Sequence, residues 1–457
     1  MGRSYYADEA VQKYFSGIVQ QNRGVVTGLL IGQCSLQRDF VVLAVQTPQR
    51  EDEDDGRRVR VLEEIDEEWF CVHANQVSRM LPGGFLLVGV FLISPQEVSK
   101  ESPNVLRKLI FATEKFAMKN KLWNLTDEDV TDRAALQICS STNKVVCRTF
   151  DVRDPKSTAK PADWKYQSSS VSWLSVECNI HVDLSISLPS STTYQEQQKS
   201  TRSRLAQWAK EIEDCTILFN GQLKDRDSDL VDEPRSCRES PRTESSLPLH
   251  SPPVIIFFCI LFSFPQLRSE RHTARVQLCN SSLKIQGVVK CRGYLCSSSK
   301  PKVKDALQVI KRDLLNTISD RCEIMFEDLL LNRPDHDLQK SPPPLPLPQR
   351  VFVPIPGSSA ALCDYIIGEE TKEEVQSRFL EILDQPVNYE DLDFVEEKTM
   401  SCPVKEEQTV YQSQNQSGDQ KDSVRKDLSS SSQFPQSLGI VIATAVVLVA
   451  ILVYLLQ

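Results

Sequence analysis

Hydrophobic residues recur along the chain with two different periods, and the switches between them mark the predicted elements. Residues 8–20 (DEAVQKYFSGIVQ) bring Val11, Tyr14, Phe15 and Ile18 to one face of a helix. VVTGLLIGQ (25–33) and FVVLAVQTP (40–48) are apolar runs parted by a polar turn, which predicts two strands. Leu62, Ile65, Trp69, Val72, Gln76, Val77 and Met80 follow at spacings of three and four. They predict an amphipathic helix over 62–80, stopped by Pro82-Gly83-Gly84. FLLVGVFLI (85–93) is apolar almost throughout, the pattern of a strand buried on both faces. A helix over 104–119 and strands near 134–140 and 144–151 follow.

The second half repeats the strand-then-helix order. WLSVECNIHVDLSISL (173–188) alternates as a strand does, and RSRLAQWAKEIED (202–214) reads as a helix. Residues 274–296 predict strands, 302–331 a long helix or helix pair, 350–367 a return to strand, and 371–384 a short helix. SPPPLPLP (341–348) is a polyproline linker, which with Lys340 also fits a basic-then-PxxP ligand pattern. The stretch 233–273 breaks the rhythm. It is rich in Ser, Pro and Arg and holds an apolar run, VIIFFCILFSF, whose composition is that of a translated pyrimidine-rich intron end. It is read as an insert and given no function.

These signals describe a mixed α/β (α+β) chain. The expected units are an α/β domain over 1–165, a strand–helix unit over 166–232, the insert over 233–273 and a second α/β region over 274–384. An acidic, then polar, disordered tether is expected over 385–437. The last unit, 438–456, is an uncharged apolar run from Leu438, Gly439 and Ile440 through Val447 to Leu456. At 1.5 Å per residue it extends about 28 Å, close to the hydrocarbon thickness of a bilayer. Lys421, Arg425 and Lys426 precede it, so the positive-inside rule puts the bulk of the chain in the cytosol. With no apolar segment in residues 1–24 to act as a signal peptide, the expectation is a tail-anchored protein. The endoplasmic reticulum membrane is the expected destination, and the mitochondrial outer membrane the alternative.

Composition narrows the function classes. Lys and Arg total 53 against 62 Asp and Glu, a net charge of −9, and no basic stripe offsets it, so no nucleic-acid partner is expected. The 14 cysteines lack clustered spacing and read as reduced thiols. Five dispersed histidines give no metal signature, and Cys71 and His73, two apart on a helix, point to different faces. Gly28 and Gly32 lack the third glycine or Lys-Ser/Thr of a phosphate loop. No nucleophile–base set can be nominated, so no catalytic residue, metal or cofactor is expected. The candidate partner surface is the 62–80 helix, with Trp69, Val72, Gln76 and Met80.

Several segments resemble the odorant response abnormal protein four (Odr-4-like) family. They are VVTGLLIGQCS (25–35), EEWFCVHANQVSRMLPGG (67–84), LWNLTDEDV (122–130), VVCRTFDVRDPKSTAKPADWKYQS (145–168), RLAQWAKEIED (204–214), 299–332 and RVFVPIPGS (350–358), with the terminal apolar run. The resemblance implies a membrane-anchored protein of the endoplasmic reticulum, not an enzyme. Its implied partners are odorant and other seven-helix receptors, whose maturation and trafficking it supports, and the cysteine protease of the ubiquitin-fold modifier (UFMylation) system. The lipid bilayer is a third partner, through the C-terminal helix. The implied role is an adaptor that holds the protease at the membrane; the alternative is a direct folding and export chaperone of G-protein-coupled receptors. The 1–165 region also resembles an MPN domain. Where active members carry two zinc-binding histidines after the buried strand, this chain has Leu92 and Ser94, which implies a catalytically inactive version.

Overall fold

The structure, a computed structural model, describes residues 2–21, 24–36, 38–50, 62–95, 102–119, 121–167, 171–189, 194–219, 222–231, 259–262, 279–332, 345–368, 370–395 and 400–405. The apolar run 438–456 and the greater part of 233–273 lie outside the described residues. So does the tether from 406 onward. Among the described residues no helix is long and apolar enough to cross a membrane.

Seven strands close into a barrel: β1 (Ser4–Asp8), β2 (Val26–Gln33), β3 (Asp39–Gln46), β4 (Leu86–Ser94), β5 (Asp132–Cys139), β6 (Val145–Asp151) and β7 (Lys160–Gln167). Round the barrel the order is β1-β3-β2-β4-β5-β6-β7, and β1 closes it by pairing in parallel with both β3 and β7. β4 and β5 are also parallel, which a tight turn cannot join. The crossover is α3 (Ser102–Lys119). Two further helices serve the barrel, α1 (Glu9–Gln20) and α2 (Glu67–Arg79). α2 starts where the Asp66 carboxylate accepts from the N–H groups of Glu68 and Trp69, so the helix is shorter than the predicted 62–80, and Leu62–Glu64 form a separate short turn.

Alternation along the barrel strands divides the apolar residues between two cores. One set, with Tyr5, Leu30, Val41, Phe91 and Leu136, packs with Val11, Phe15 and Ile18 of α1. The opposite set, with Leu29, Phe40, Val90 and Leu92, packs under Phe70 and Val77 of α2 and Leu106 and Ile110 of α3. β4 feeds both, which is why its sequence is apolar without alternation.

The rest of the chain adds a second layered unit. β8 (Trp173–Pro189) and β11 (Cys279–Cys296) pair antiparallel along nearly their whole length. The predicted strands of 274–296 are therefore one long strand. α4 (Tyr194–Asp214) and α5 (Val303–Asn332) cover one face, and 302–331 is a single helix rather than a pair. β9 (Thr216–Phe219) pairs with β10 (Cys259–Phe262), the one described piece of the irregular stretch. β12 (Leu345–Pro346), within the expected polyproline linker, pairs with β16 (Met400–Lys405), and β16 in turn with β11.

Residues 350–367 form a hairpin rather than one strand: β13 (Gln349–Pro354) and β14 (Ala361–Ile366), with β15 (Asp393–Phe394) added to β13. α6 (Lys372–Leu383) follows, opened by a Thr371/Glu374 capping box. This C-terminal group packs on the outside of the barrel, for Phe352, Leu362, Phe379 and Leu383 share the core of Leu29 and Leu92. The region 274–384 thus supplies residues to two cores. The expected tether also starts later, since 385–395 and 400–405 belong to the fold.

Candidate docking site at the junction of barrel and second sheet

The barrel meets the β8–β11 sheet along one boundary, sealed over one half and open over the other. In the sealed half the Pro82-Gly83-Gly84 loop after α2 runs alongside β11, where Gly83 and Gly293 form a parallel bridge. The approach is close enough to demand glycine. A Cβ on Gly84 (φ +88°) would lie 2.0 Å from the Tyr294 carbonyl oxygen, and one on Gly293 would lie 2.2 Å from Val309 Cγ1.

Two side chains fasten the contact. Asp313, on α5, accepts from the Gly83 N–H (2.8 Å) and the Arg292 N–H (2.9 Å), and two bonds of 2.8 Å from the Arg350 guanidinium. Asp313 and Arg350 side chains are each 1% exposed. Burial alone would lower the Arg350 pKa, but the Asp313 carboxylate reverses this and holds it well above the ordinary value. Gln33 Nε2 donates to the carbonyls of Gly84 (2.9 Å) and Tyr294 (2.8 Å), while its Oε1 accepts from the Cys296 N–H (2.8 Å). Every polar function of that amide is used.

The open half is a cleft of about 760 Å³. Leu81, Ile110, Leu295 and Val309, all buried, line it together with the buried polar side chains of Gln33 and Thr113. One wall is the 121–130 segment, held to α5 by several contacts. The Arg312 guanidinium lies 4.0 Å from the centre of the Trp123 ring and donates to both Asp129 oxygens at 2.8 and 2.7 Å. Trp123 Nε1 donates to Asn316 Oδ1 at 2.9 Å. Burial would raise the Asp129 carboxyl, but Arg312 and Thr126 together hold it below the usual range. Leu36 and Arg38, on the β2–β3 turn, and Lys121, Lys300 and Lys302 also line the opening. Seven basic side chains line the cleft against five acidic ones, in a chain of net charge −9. Leu36 is 82% exposed, the most exposed large hydrophobic residue among those described.

The cleft holds no reactive constellation. Cys34 lines it, yet burial and the neighbouring Asp39 push its thiol well above the ordinary value, the reverse of what a nucleophile needs. Among the described residues no group of His, Cys, Asp or Glu is placed to hold a metal. Ten cysteines, Cys34, Cys71 and Cys363 among them, form no disulfide. Leu92 and Ser94, at the positions the MPN likeness assigns to zinc ligands, are both buried in β4.

Of the helix face expected to meet a partner, Met80 is committed to the core, while Trp69, Val72 and Gln76 stay partly exposed. Met80 is 2% exposed and packs in the core, because the chain turns inward after α2. Trp69 is half-buried; its Nε1 donates to the Pro48 carbonyl and Arg50 lies over its ring. Val72 and Gln76 are also half-buried. Cys71 and His73 are both buried without meeting, and His73 Nε2 lies 2.8 Å from the Ile382 carbonyl of α6. The residues of the cleft went unread because they come from five separate stretches of chain, none carrying a motif. The exposed Leu36 was the one local signal.

Comparison with known proteins places this molecule among relatives. A family model described as Odorant response abnormal 4-like matches residues 28–394. The chain is 52% identical to the "Protein odr-4 homolog" of Xenopus tropicalis, over 99% of each chain. It is 46% identical to the human protein of that name, over 88% of this chain and 87% of that one. The "Odorant response abnormal protein 4" of Caenorhabditis elegans is 19% identical over 72% of this chain and 66% of that one. Among solved structures, the crystal structure of UfSP from C. elegans aligns with 85% of this chain and 58% of its own. Its TM-score is 0.41 at 11% identity.

Proposed function

The chain belongs to the Odorant response abnormal 4-like family, and from that premise we propose a non-enzymatic adaptor of the endoplasmic reticulum membrane. The segment 438–456 anchors it, and the folded part faces the cytosol. It recruits the cysteine protease of the UFMylation system to the membrane and supports the maturation and trafficking of odorant-type seven-helix receptors. The observation that carries the reading is near full-length relatedness to odr-4 homologues, joined to an uncharged run of bilayer length. The name of the C. elegans relative, an odorant response protein, supports the receptor arm. The mechanism is a rise in effective concentration, since a partner confined beside one membrane searches locally rather than through the cell. The barrel, likened in sequence to an inactive MPN domain, contributes a binding surface.

The test is affinity purification of the tagged protein from detergent-solubilised microsomes, with 438–457 present or deleted. The expected result is protease recovered with both forms, and membrane location only for the full chain. Loss of the protease from both forms, with receptor recovered, would favour the direct chaperone instead.

A further inference from the structure

We propose that the cleft between the barrel and the second sheet is a docking site for an acidic peptide segment, extended in shape and carrying one bulky apolar side chain. The inference goes beyond the adaptor reading, because it depends neither on the membrane nor on which protein is tethered.

Three observations define the occupant. The first is size: about 760 Å³ holds a few residues of an extended chain but not a folded domain. The second is the interior. Leu81, Ile110, Leu295 and Val309 form an apolar patch beside polar lining groups such as Ser78 and Thr113, which suits one apolar side chain carried on an otherwise polar segment. Leu36 stands beside this interior, exposed, and a partner side chain entering the cleft would cover it. The third is charge. The acidic side chains of the cleft are largely engaged: Glu114 with Arg133, Asp129 with Arg312, Glu128 with Lys304, and Asp305 with the Lys302 N–H. The basic surplus lies on the rim with Arg38, Lys121 and Lys302, and so favours carboxylates flanking the buried side chain. A basic segment would meet like charge on two walls. A neutral apolar segment would bring no carboxylate to Arg38, Lys121 or Lys302.

The site is also built before its ligand arrives. Asp313 and Gln33 fix the barrel to β11 at the inner end of the cleft, and Trp123 with Asp129 fixes the outer wall to α5. Little ordering free energy is then lost on binding.

The experiment selects from a random displayed-peptide library against the full chain in detergent, with counter-selection on Leu36→Asp. Labelled synthetic copies of the enriched peptides are then titrated by fluorescence anisotropy. The expected outcome is enrichment of acidic segments around a Leu, Ile, Phe or Trp. Binding should weaken about tenfold or more in Leu36→Asp, and comparably in Lys302→Glu. It should also weaken as salt shortens the Debye length below about 8 Å. Both variants alter side chains at the opening, and unchanged thermal unfolding separates a lost contact from a lost fold. Enrichment of basic or uncharged peptides, titrations insensitive to both substitutions, or the absence of any enriched peptide would overturn the proposal.

Discussion

The two halves of the barrel–sheet boundary carry similar residue types to opposite ends. In the sealed half a carboxylate and a guanidinium are both buried, and Asp313 has four hydrogen bonds from three segments of chain. In the open half the wall pairs Arg312–Asp129 and Arg133–Glu114 are largely buried, while Arg38, Lys121 and Lys302 stand nearer water. Ion pairing as such does not distinguish them. The sealed charges have lost water and depend on protein partners in its place, even though Arg350 Nε has no acceptor, so they specify one relative placement of barrel and sheet. Arg38, Lys121 and Lys302 line the opening, where a ligand can reach them.

The largest expected effect breaks the sealed half. Asp313→Ala leaves Arg350 buried without its carboxylate and removes the acceptor of the Arg292 N–H. A loss of about 3–5 kcal/mol is expected in denaturant unfolding. Combining Asp313→Leu with Arg350→Met should recover part of that loss but not all, since the Arg292 N–H still lacks its acceptor. Full recovery would mean that the pair, rather than the junction, was being measured. Gly84→Val acts on the same half without touching a charge. It forces a branched side chain into a positive-φ position against Tyr294, with an expected loss of about 3 kcal/mol.

An intermediate effect concerns pH. Burial lowers the His73 pKa to about 4, and its Nδ1 has no hydrogen-bond partner. Between about 4 and 6.5 the unfolded chain binds more protons at this residue, so its contribution to stability is lost as pH falls through that window. Burial raises Glu323, despite Arg79 beside it, to about 7. There the folded chain binds more protons between about 4.5 and 7, so stability is lost as pH rises. The two slopes oppose each other. His73→Gln should leave a protein more stable at pH 5 than at pH 7, and Glu323→Gln the reverse, each by about 1–2 kcal/mol in paired melts. Unaltered slopes in both variants would remove these residues from the account.

The smallest effect on stability belongs to the open half. Leu36→Asp should change it by less than about 0.5 kcal/mol, because the side chain is already in water. A larger loss would mean that the rim is structural, like the junction behind it.

What was legible in the sequence follows from how local each signal is. The apolar run of β4 and the spacing of α2 and α3 report burial directly, and their order was read correctly. β1 and β7 were missed. Their residues, SYYAD and KPADWKYQ, mix aromatic with charged side chains and form no apolar run, and become strands by closing a barrel across a long stretch of chain. The return of β16 to β11 was hidden for the same reason, its partner being more than a hundred residues away. Pro82-Gly83-Gly84 was recognised as a helix stop, but its second task, lying flat against β11, depends on residues it meets only in the folded chain. Met80 shows the converse failure: helical spacing marks an apolar face without saying which neighbour covers it.

Barrel closure has a consequence in time. Ser4 pairs with Asp163, so β1 is made well before the neighbour that encloses it. At about 5–20 residues per second, a ribosome holds β1 without its β7 neighbour for on the order of ten seconds. During that interval the strand presents Tyr5 and Ala7, both destined for the interior, beside an unfilled edge. The nascent chain is therefore most exposed to chaperones, and to pairing with the wrong strand, before its barrel has closed.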